Sequence, residues 1–236
     1  MGAEGVLARL AELGERHGLT PIQRERLAAL LSLLESDPRA PTAVRDSVRA
    51  VDVHVADSLA ALALDAVVSA RRVADLGSGA GVPGLVLAVA LPAAELWLLD
   101  SQARKCAFLE VAVDRLELEN TTVVCTRAEQ WAGGRERQDL VLARALGPQP
   151  VVLEYAAPLL SAGGALVDWR GRRRAREELA AARAAAELGM GVAEVHAVAP
   201  FAGASDHHLH VFTKVAATPE RFPRRPGIAR KRPLGA

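Results

Sequence analysis

Cysteine is almost missing from this chain: Cys106 and Cys125 are the only two in 236 residues. His is scattered rather than set at ligand spacing, so neither a disulfide scaffold nor a zinc module is expected. Both thiols read as packing residues, Cys106 in a helix and Cys125 in a strand. Aromatic residues make up 3% of the chain, too few for a broad platform that stacks single-stranded bases. Lysine is scarce too, three residues against 26 arginines. Beside so much alanine, that bias reflects genome composition and removes arginine abundance as an argument by itself. No long apolar run is uninterrupted. The most hydrophobic window, Val82 to Leu99, contains Pro83, Gly84, Pro92 and Glu95, which suits a buried helix followed by a strand and not a bilayer span. Met1 to Gly5 carries no basic stretch leading into an apolar core, so no export leader is expected and a cytoplasmic location fits.

Half of the residues are hydrophobic, enough for one α/β domain with a sizeable core and an appendage. The net charge of +1 is uneven: from Thr213 to the end, seven Lys or Arg face one Glu, a local +6 that leaves −5 over residues 1–212. Residues 3–35 place Leu7, Leu10, Leu13, Leu27, Leu30, Leu31 and Leu34 at helical spacing, which predicts two short helices. Ser36 to Thr42 is a turn-rich break, and helical spacing returns from Val44 to Val68. From Arg71, short apolar strands alternate with helices, the mark of a parallel sheet. Seven strands are predicted, near Val73–Leu76, Leu96–Asp100, Thr122–Cys125, Leu140–Ala143, Ala165–Trp169, Ala193–Ala199 and Leu209–Val215. The last two are close enough to form a hairpin, and Ser161 to Gly164 reads as a turn. Boundaries follow as a helical extension over 1–70, a main domain over 71–216 and a basic, proline-rich tail over 217–236 that should not join the core.

The first strand ends at Asp75 and runs into Gly77-Ser78-Gly79-Ala80-Gly81-Val82-Pro83-Gly84, a loop that lets main chain approach a ligand. Gly79 to Gly84 formally matches the dinucleotide pattern G-x-G-x-x-G, with Asp100 at the position of a ribose-binding acid, so a nicotinamide-dependent oxidoreductase is one reading. Asp75 favours another. A carboxylate beside a pyrophosphate is repulsive, whereas S-adenosylmethionine offers an ammonium, a sulfonium and a ribose diol to two acids at neighbouring strand ends. Ala128 and Glu129 follow the third strand, where a loop would reach the adenine. Arg144 ends the fourth strand, where open sheets of this kind hold ligands.

If the donor is a sulfonium, the acceptor can be narrowed by what is missing. The fourth strand leads into Ala143-Arg144-Ala145-Leu146 and not into an Asn/Asp-Pro-Pro-aromatic turn suited to exocyclic amines. Neither cysteine is placed as the nucleophile that pyrimidine carbon methylation needs. A ring nitrogen such as guanine N7 has an in-plane lone pair and loses no proton, so positioning is the main task. Arg144 or Arg170 would donate to guanine O6, making these two the candidate catalytic residues. Trp169 offers either a stacking face or core packing.

His54-Val55-Ala56-Asp57-Ser58-Leu59, Asp75 to Gly84, Leu98-Leu99-Asp100-Ser101, Arg127-Ala128-Glu129, Ala143-Arg144-Ala145 and Phe222 to Gly227 together resemble the bacterial small-subunit (16S) ribosomal RNA guanine-N7 methyltransferases, the glucose-inhibited-division B family. The resemblance implies a class I S-adenosylmethionine-dependent methyltransferase, an α/β Rossmann-like protein with a seven-stranded sheet and an N-terminal helical extension. It implies a cofactor held around Gly77, Val82, Ala128, Glu129 and Arg144, to which the glycine loop and the second strand end add Gly79 and Asp100, and 16S ribosomal RNA or the small ribosomal subunit as partner; no metal and a monomer are expected. It also places His54, Asp57 and Ser58 in the same cleft. Two segments depart from the family pattern: Ala40-Pro41-Thr42 replaces Asn-Leu-Thr before Val44-Arg45-Asp46, and Arg170-Gly171 replaces Lys-Gly, which keeps the charge and changes its geometry. Arg170 to Arg176 form one basic run, read as a solvated face, and the tail arginines another, expected to meet phosphates. A catalytically silent RNA-binding module is the third reading, against which the pair Asp75 and Asp100 argues.

Overall fold

The computed structural model describes residues 2–44 and 46–235; Arg45, within one of the motifs above, lies outside the described residues. Two helices open the chain, α1 (Gly2–His17) and α2 (Pro21–Ser36). Thr20 and Gln23 form a reciprocal cap on α2, with Pro21 in its first turn. Leu27, Leu30, Leu31 and Leu34 line the buried side of α2 at the spacing the sequence showed. The Asp37 carboxylate closes the break by accepting from the Arg39 backbone N–H at 2.7 Å and from its guanidinium.

The next helical stretch is broken where one run was expected. α3 (Ser47–Ala50) passes into a π-helical turn over Val51–Ala56, then α4 (Asp57–Leu59), a 3-10 turn over Ala60–Ala63 and α5 (Asp65–Val68). The wider turn carries an additional residue, and its register points His54, Asp57 and Ser58 inward, where all three are buried.

The sheet comprises β1 (Arg72–Leu76), β2 (Glu95–Asp100), β3 (Thr121–Cys125), β4 (Gln138–Arg144), β5 (Leu160–Arg170), β6 (Glu194–Val198) and β7 (His207–Thr213). Their order is β3-β2-β1-β4-β5-β7-β6. β1 to β5 are parallel, whereas β7 runs antiparallel to β5 and to β6, so the last two strands form the anticipated hairpin. The connecting helices are α6 (Gly84–Ala90), α7 (Ala103–Arg115), α8 (Gln149–Ala156) and α9 (Ala175–Glu187). Strand order reverses between β1 and β4, so the chains leaving these strands diverge and open a crevice at their carboxyl ends. On one face of the sheet, Val73, Leu96, Leu140 and Val167 share a core with the N-terminal helices; on the other, Ala74, Val141 and Leu166 meet α8 and α9.

Three expectations are corrected. Ser161 to Gly164 belongs to β5, paired irregularly beside Gln138, and is not a turn outside the strand. Cys106 and Cys125 are paired as a disulfide between α7 and β3, with Cα atoms 5.7 Å apart, and Cys125 is exposed instead of packed. Helix and strand bring together two thiols that their 19-residue separation kept apart in the sequence. The tail also joins the core: Phe222 is buried in the cluster that holds α8, and so is Ala229 of α10 (Ile228–Lys231). The anchor is a buried carboxylate: Glu154 of α8 accepts from Arg224 Nε at 2.7 Å and pairs with its Nη2.

Gly84, the first residue of α6, shows how tightly the loop is fitted. A Cβ there would lie 2.4 Å from Leu98 Cδ2 and 2.6 Å from Asp75 Oδ2. Gly84→Ala should therefore destabilise the fold by about 1–3 kcal/mol through overpacking, read as a lower midpoint of thermal unfolding. An unchanged midpoint would mean that Leu98 and Asp75 yield freely.

Candidate active site

The carboxyl ends of β1 to β4 frame a cleft of about 710 Å³. Four of the expected cofactor residues line it together: Gly77, Asp100, Ala128 and Glu129. Gly77 has a φ of +68°, and a Cβ there would lie 2.5 Å from Leu146 Cδ1, so glycine keeps this wall low. Asp100 Oδ1 accepts from Gln102 N–H at 2.9 Å and Oδ2 from Gly79 N–H at 3.2 Å, with Lys105 Nζ 3.7 Å away. A carboxylate has about four acceptor positions, so two backbone donors fix its orientation and leave capacity for a diol. Gly79 thus acts behind the cleft as a brace. Val82 is half-buried against the helix-covered core and does not line the cleft.

Asp75 is corrected. Its carboxylate is fully enclosed, not presented to the cleft, and Oδ2 accepts from Gly84 N–H at 3.2 Å at the start of α6. Burial pushes its pKa up to about 7, against the opposing hydrogen bonds from Ser78 and Gly84. Asp75 holds the glycine loop onto the sheet. Asp100 is the acid that meets the cleft.

A second pocket, of about 310 Å³, adjoins the first through Ala145, which lines both. Ala145 has a φ of +53°, a strained conformation for a residue with a side chain, and sits at the corner where β4 ends. Arg144, Arg170, Trp169 and Asp57 line this second pocket with His207 and His208. Arg144 Nη2 donates to the Val53 carbonyl at 2.9 Å, and Nη1 lies 3.0 Å from Asp57 Oδ2, an ion pair without hydrogen-bond alignment. Asp57 Oδ1 accepts from His207 Nδ1 at 2.9 Å, which puts the proton on that nitrogen. Trp169 Nε1 donates to the Asp57 carbonyl at 3.0 Å, so this ring is largely buried while still bordering the pocket. Arg170 is tied to Asp168 at 3.0 Å and to the Gly147 carbonyl at 3.0 Å.

His54 and Ser58 stand behind this pocket. His54 Nε2 is 3.1 Å from Thr42 Oγ1, and burial, with Arg144 adding to it, lowers its pKa to about 4. Ser58 donates to the His54 carbonyl. Neither lines the pocket as Asp57 does.

Several cleft and pocket residues went unread. His207 lies before the last strand as predicted from sequence, Leu209–Val215; because β7 is antiparallel to β5, its first residues lie at the carboxyl edge beside Arg170. Tyr155 and Arg230 also line the cleft, and the tail is pinned beside them by Gly227 N–H donating to Glu129 Oε1 at 3.2 Å. A helix-borne tyrosine and a tail arginine carry no local motif.

The strand order and the cleft at its reversal define the fold of a class I S-adenosylmethionine-dependent methyltransferase. Solved structures agree on that fold: a SAM-dependent O-methyltransferase from Thermotoga maritima aligns with a TM-score of 0.54 at 19% identity, over 70% of this chain and 66% of that one. The S-adenosylmethionine-dependent methyltransferase SibL in its apo form gives 0.58 at 13% identity, over 89% and 74%. Within that class the chain belongs to the GidB family, rRNA small subunit methyltransferase G, whose model matches residues 26–208. Proteins named ribosomal RNA small subunit methyltransferase G from Carboxydothermus hydrogenoformans and Rubrobacter xylanophilus are 35% and 39% identical to it. The first alignment covers 96% of this chain and 99% of the relative, the second 77% and 72%.

Proposed function

We propose that this chain transfers the methyl group of S-adenosylmethionine to N7 of a guanine in 16S ribosomal RNA, working in the cytoplasm as a monomer on the RNA or the small subunit. The observation that carries this reading is the junction at Ala145, where the acid-bearing cleft opens beside a pocket bearing two arginines. Donor and acceptor then meet across one residue, and one chain lines both sides. Among the described residues no helix is long and apolar enough to cross a membrane. Family membership favours neither the nicotinamide nor the non-catalytic reading.

The cleft residues fit the cofactor. Asp100 would accept from its ribose hydroxyls, Ala128 N–H and Glu129 would face its adenine, and Gly77 would let it lie on the main chain. When bound, S-adenosylmethionine supplies an electrophilic methyl group. N7 of guanine carries an in-plane lone pair and no proton to lose, so the residues around it would need to supply no general base. Arg144 and Arg170 would hold the base through O6, while Asp57 and the Val53 carbonyl fix the Arg144 guanidinium. Such catalysis rests on alignment rather than on acid–base chemistry.

Incubation with labelled methyl donor and small subunits lacking the modification, followed by nucleoside analysis, should yield labelled 7-methylguanosine. Label elsewhere, or none, would reject the proposal. Asp100→Ala should weaken cofactor binding by about 1–3 kcal/mol, because charge-assisted hydrogen bonds are lost, as read by equilibrium titration. Affinity equal to that of the unaltered chain would move the ribose away from Asp100.

A further inference from the structure

A third depression, of about 270 Å³, lies beyond the arginine pocket and shares Arg170 and Gly171 with it. Arg172, Arg173, Arg174, Glu177, Glu178, Gln149 and His210 complete its lining. Four guanidinium groups face two carboxylates, leaving the pocket positive. Both carboxylates are already engaged: Glu178 binds Arg173 at 2.7 and 2.9 Å, and Glu177 lies 3.3 Å from Arg174. Arg172 is exposed and makes no hydrogen bond or ion pair among the described residues.

Two features point to an anion. The 13-residue α9 starts here with no side-chain cap from Arg174, and Arg174 and Glu177 line the pocket, so the positive end of the helix dipole lies at its wall. Independently, His210 is 3% exposed and neither ring nitrogen has a hydrogen-bond partner among the described residues. Asp168, paired with it across the strands, is spent on Arg170 and on Gln149 Nε2 at 3.1 Å. Buried polar groups in folded proteins are almost always satisfied, and an orphaned imidazole lining a positive pocket lacks an acceptor.

We propose that this pocket holds a backbone phosphate of the RNA strand, beside the nucleotide whose base enters the Arg144–Arg170 pocket. The inference rests on the RNA methyltransferase reading and extends it. The shared arginine explains the pairing of functions: Arg170 borders base and phosphate alike, so seating the phosphate would set the register of the base. The residues that followed the fifth strand as an apparent solvated basic face thereby acquire a substrate role.

The test uses the full chain and a transcript of small-subunit ribosomal RNA, with affinity measured across salt concentrations. Arg172→Ala should weaken binding and reduce the slope of log K against log salt by about 0.7–0.9, the loss of one phosphate contact. Arg115→Ala, which removes the same charge at the far end of α7, should change the slope much less. In parallel, the His210 ring resonances, assigned with His210→Gln, should shift on adding RNA, and inorganic phosphate should compete for that shift. An unchanged slope in Arg172→Ala, from a chain that still methylates subunits, overturns this inference alone. Ring signals that respond to inorganic phosphate but not to RNA overturn it too and make the pocket a free-phosphate site. Failure of the unaltered chain to bind or methylate RNA overturns both this inference and the function beneath it.

Discussion

Arg144→Ala should reduce methyl transfer to about 1% of the unaltered rate or less while also lowering stability, the loss of positioning corresponding to roughly 3 kcal/mol. The guanidinium serves two purposes. It lines the pocket proposed for the base, and it shields Asp57, a carboxylate only 4% exposed that also pairs with His207. Removing one member of a buried ion pair typically costs about 3–5 kcal/mol, and the solvent reached by the partly exposed arginine places this case near the lower end. For a chain of this length that corresponds to a fall in the unfolding midpoint of about 6–12 °C. Arg144→Lys separates the purposes: it restores charge beside Asp57 but gives up the planar fork, so stability should recover more than turnover. Single-turnover rates at saturating cofactor, beside thermal unfolding, distinguish these effects. A rate within threefold of normal for the alanine variant would remove Arg144 from the acceptor pocket.

The parallel sheet was legible because its central strands are apolar and buried, and because helix-length sequence separates them. The cleft proposed for the cofactor was legible as a meeting place for the same reason: strand ends in such a sheet converge, so Gly77, Asp100, Ala128 and Glu129 line one cavity although about 50 residues separate the first from the last. Depth within a strand end was not legible. Asp75 pairs with Leu98, two residues short of Asp100 on the adjacent strand, and meets the Gly84 N–H beneath α6, while Asp100 at the end of β2 stays on the rim. Nor does alternating sequence reveal the direction of a final strand; that direction brings His207 to the site and His210 to the third pocket. The tail was misread through composition. Proline and arginine argue against a core element in isolation, but Phe222 has an apolar seat and Arg224 has Glu154, neither of which is visible without the fold.

Deleting residues 218–236 should therefore impair cofactor binding and stability more than the salt dependence of RNA binding. Phe222 is 3% exposed, and burying such a side chain stabilises by about 1.5–3 kcal/mol. Glu154, 1% exposed, would lose Arg224 and remain as an uncompensated buried carboxylate, a further cost of about 3–5 kcal/mol. The single change Arg224→Ala isolates that second contribution. It should also loosen the segment whose Gly227 N–H holds Glu129 and whose Arg230 walls the cleft, with cofactor affinity falling about tenfold, or 1.4 kcal/mol. Replacing both Glu154 and Arg224 with methionine removes the stranded charge, so stability should return towards normal. Most of the tail's arginines are already committed: Arg221 to Glu187, Arg224 to Glu154 and Arg230 to the Leu146 carbonyl. Those bonds would have to break before these side chains could neutralise phosphates, whereas Arg172 has none to break among the described residues. Calorimetry with the cofactor and salt-dependent RNA binding on the truncated chain decide between the two roles. Intact cofactor affinity with a flattened salt slope would restore the tail as an RNA-binding arm.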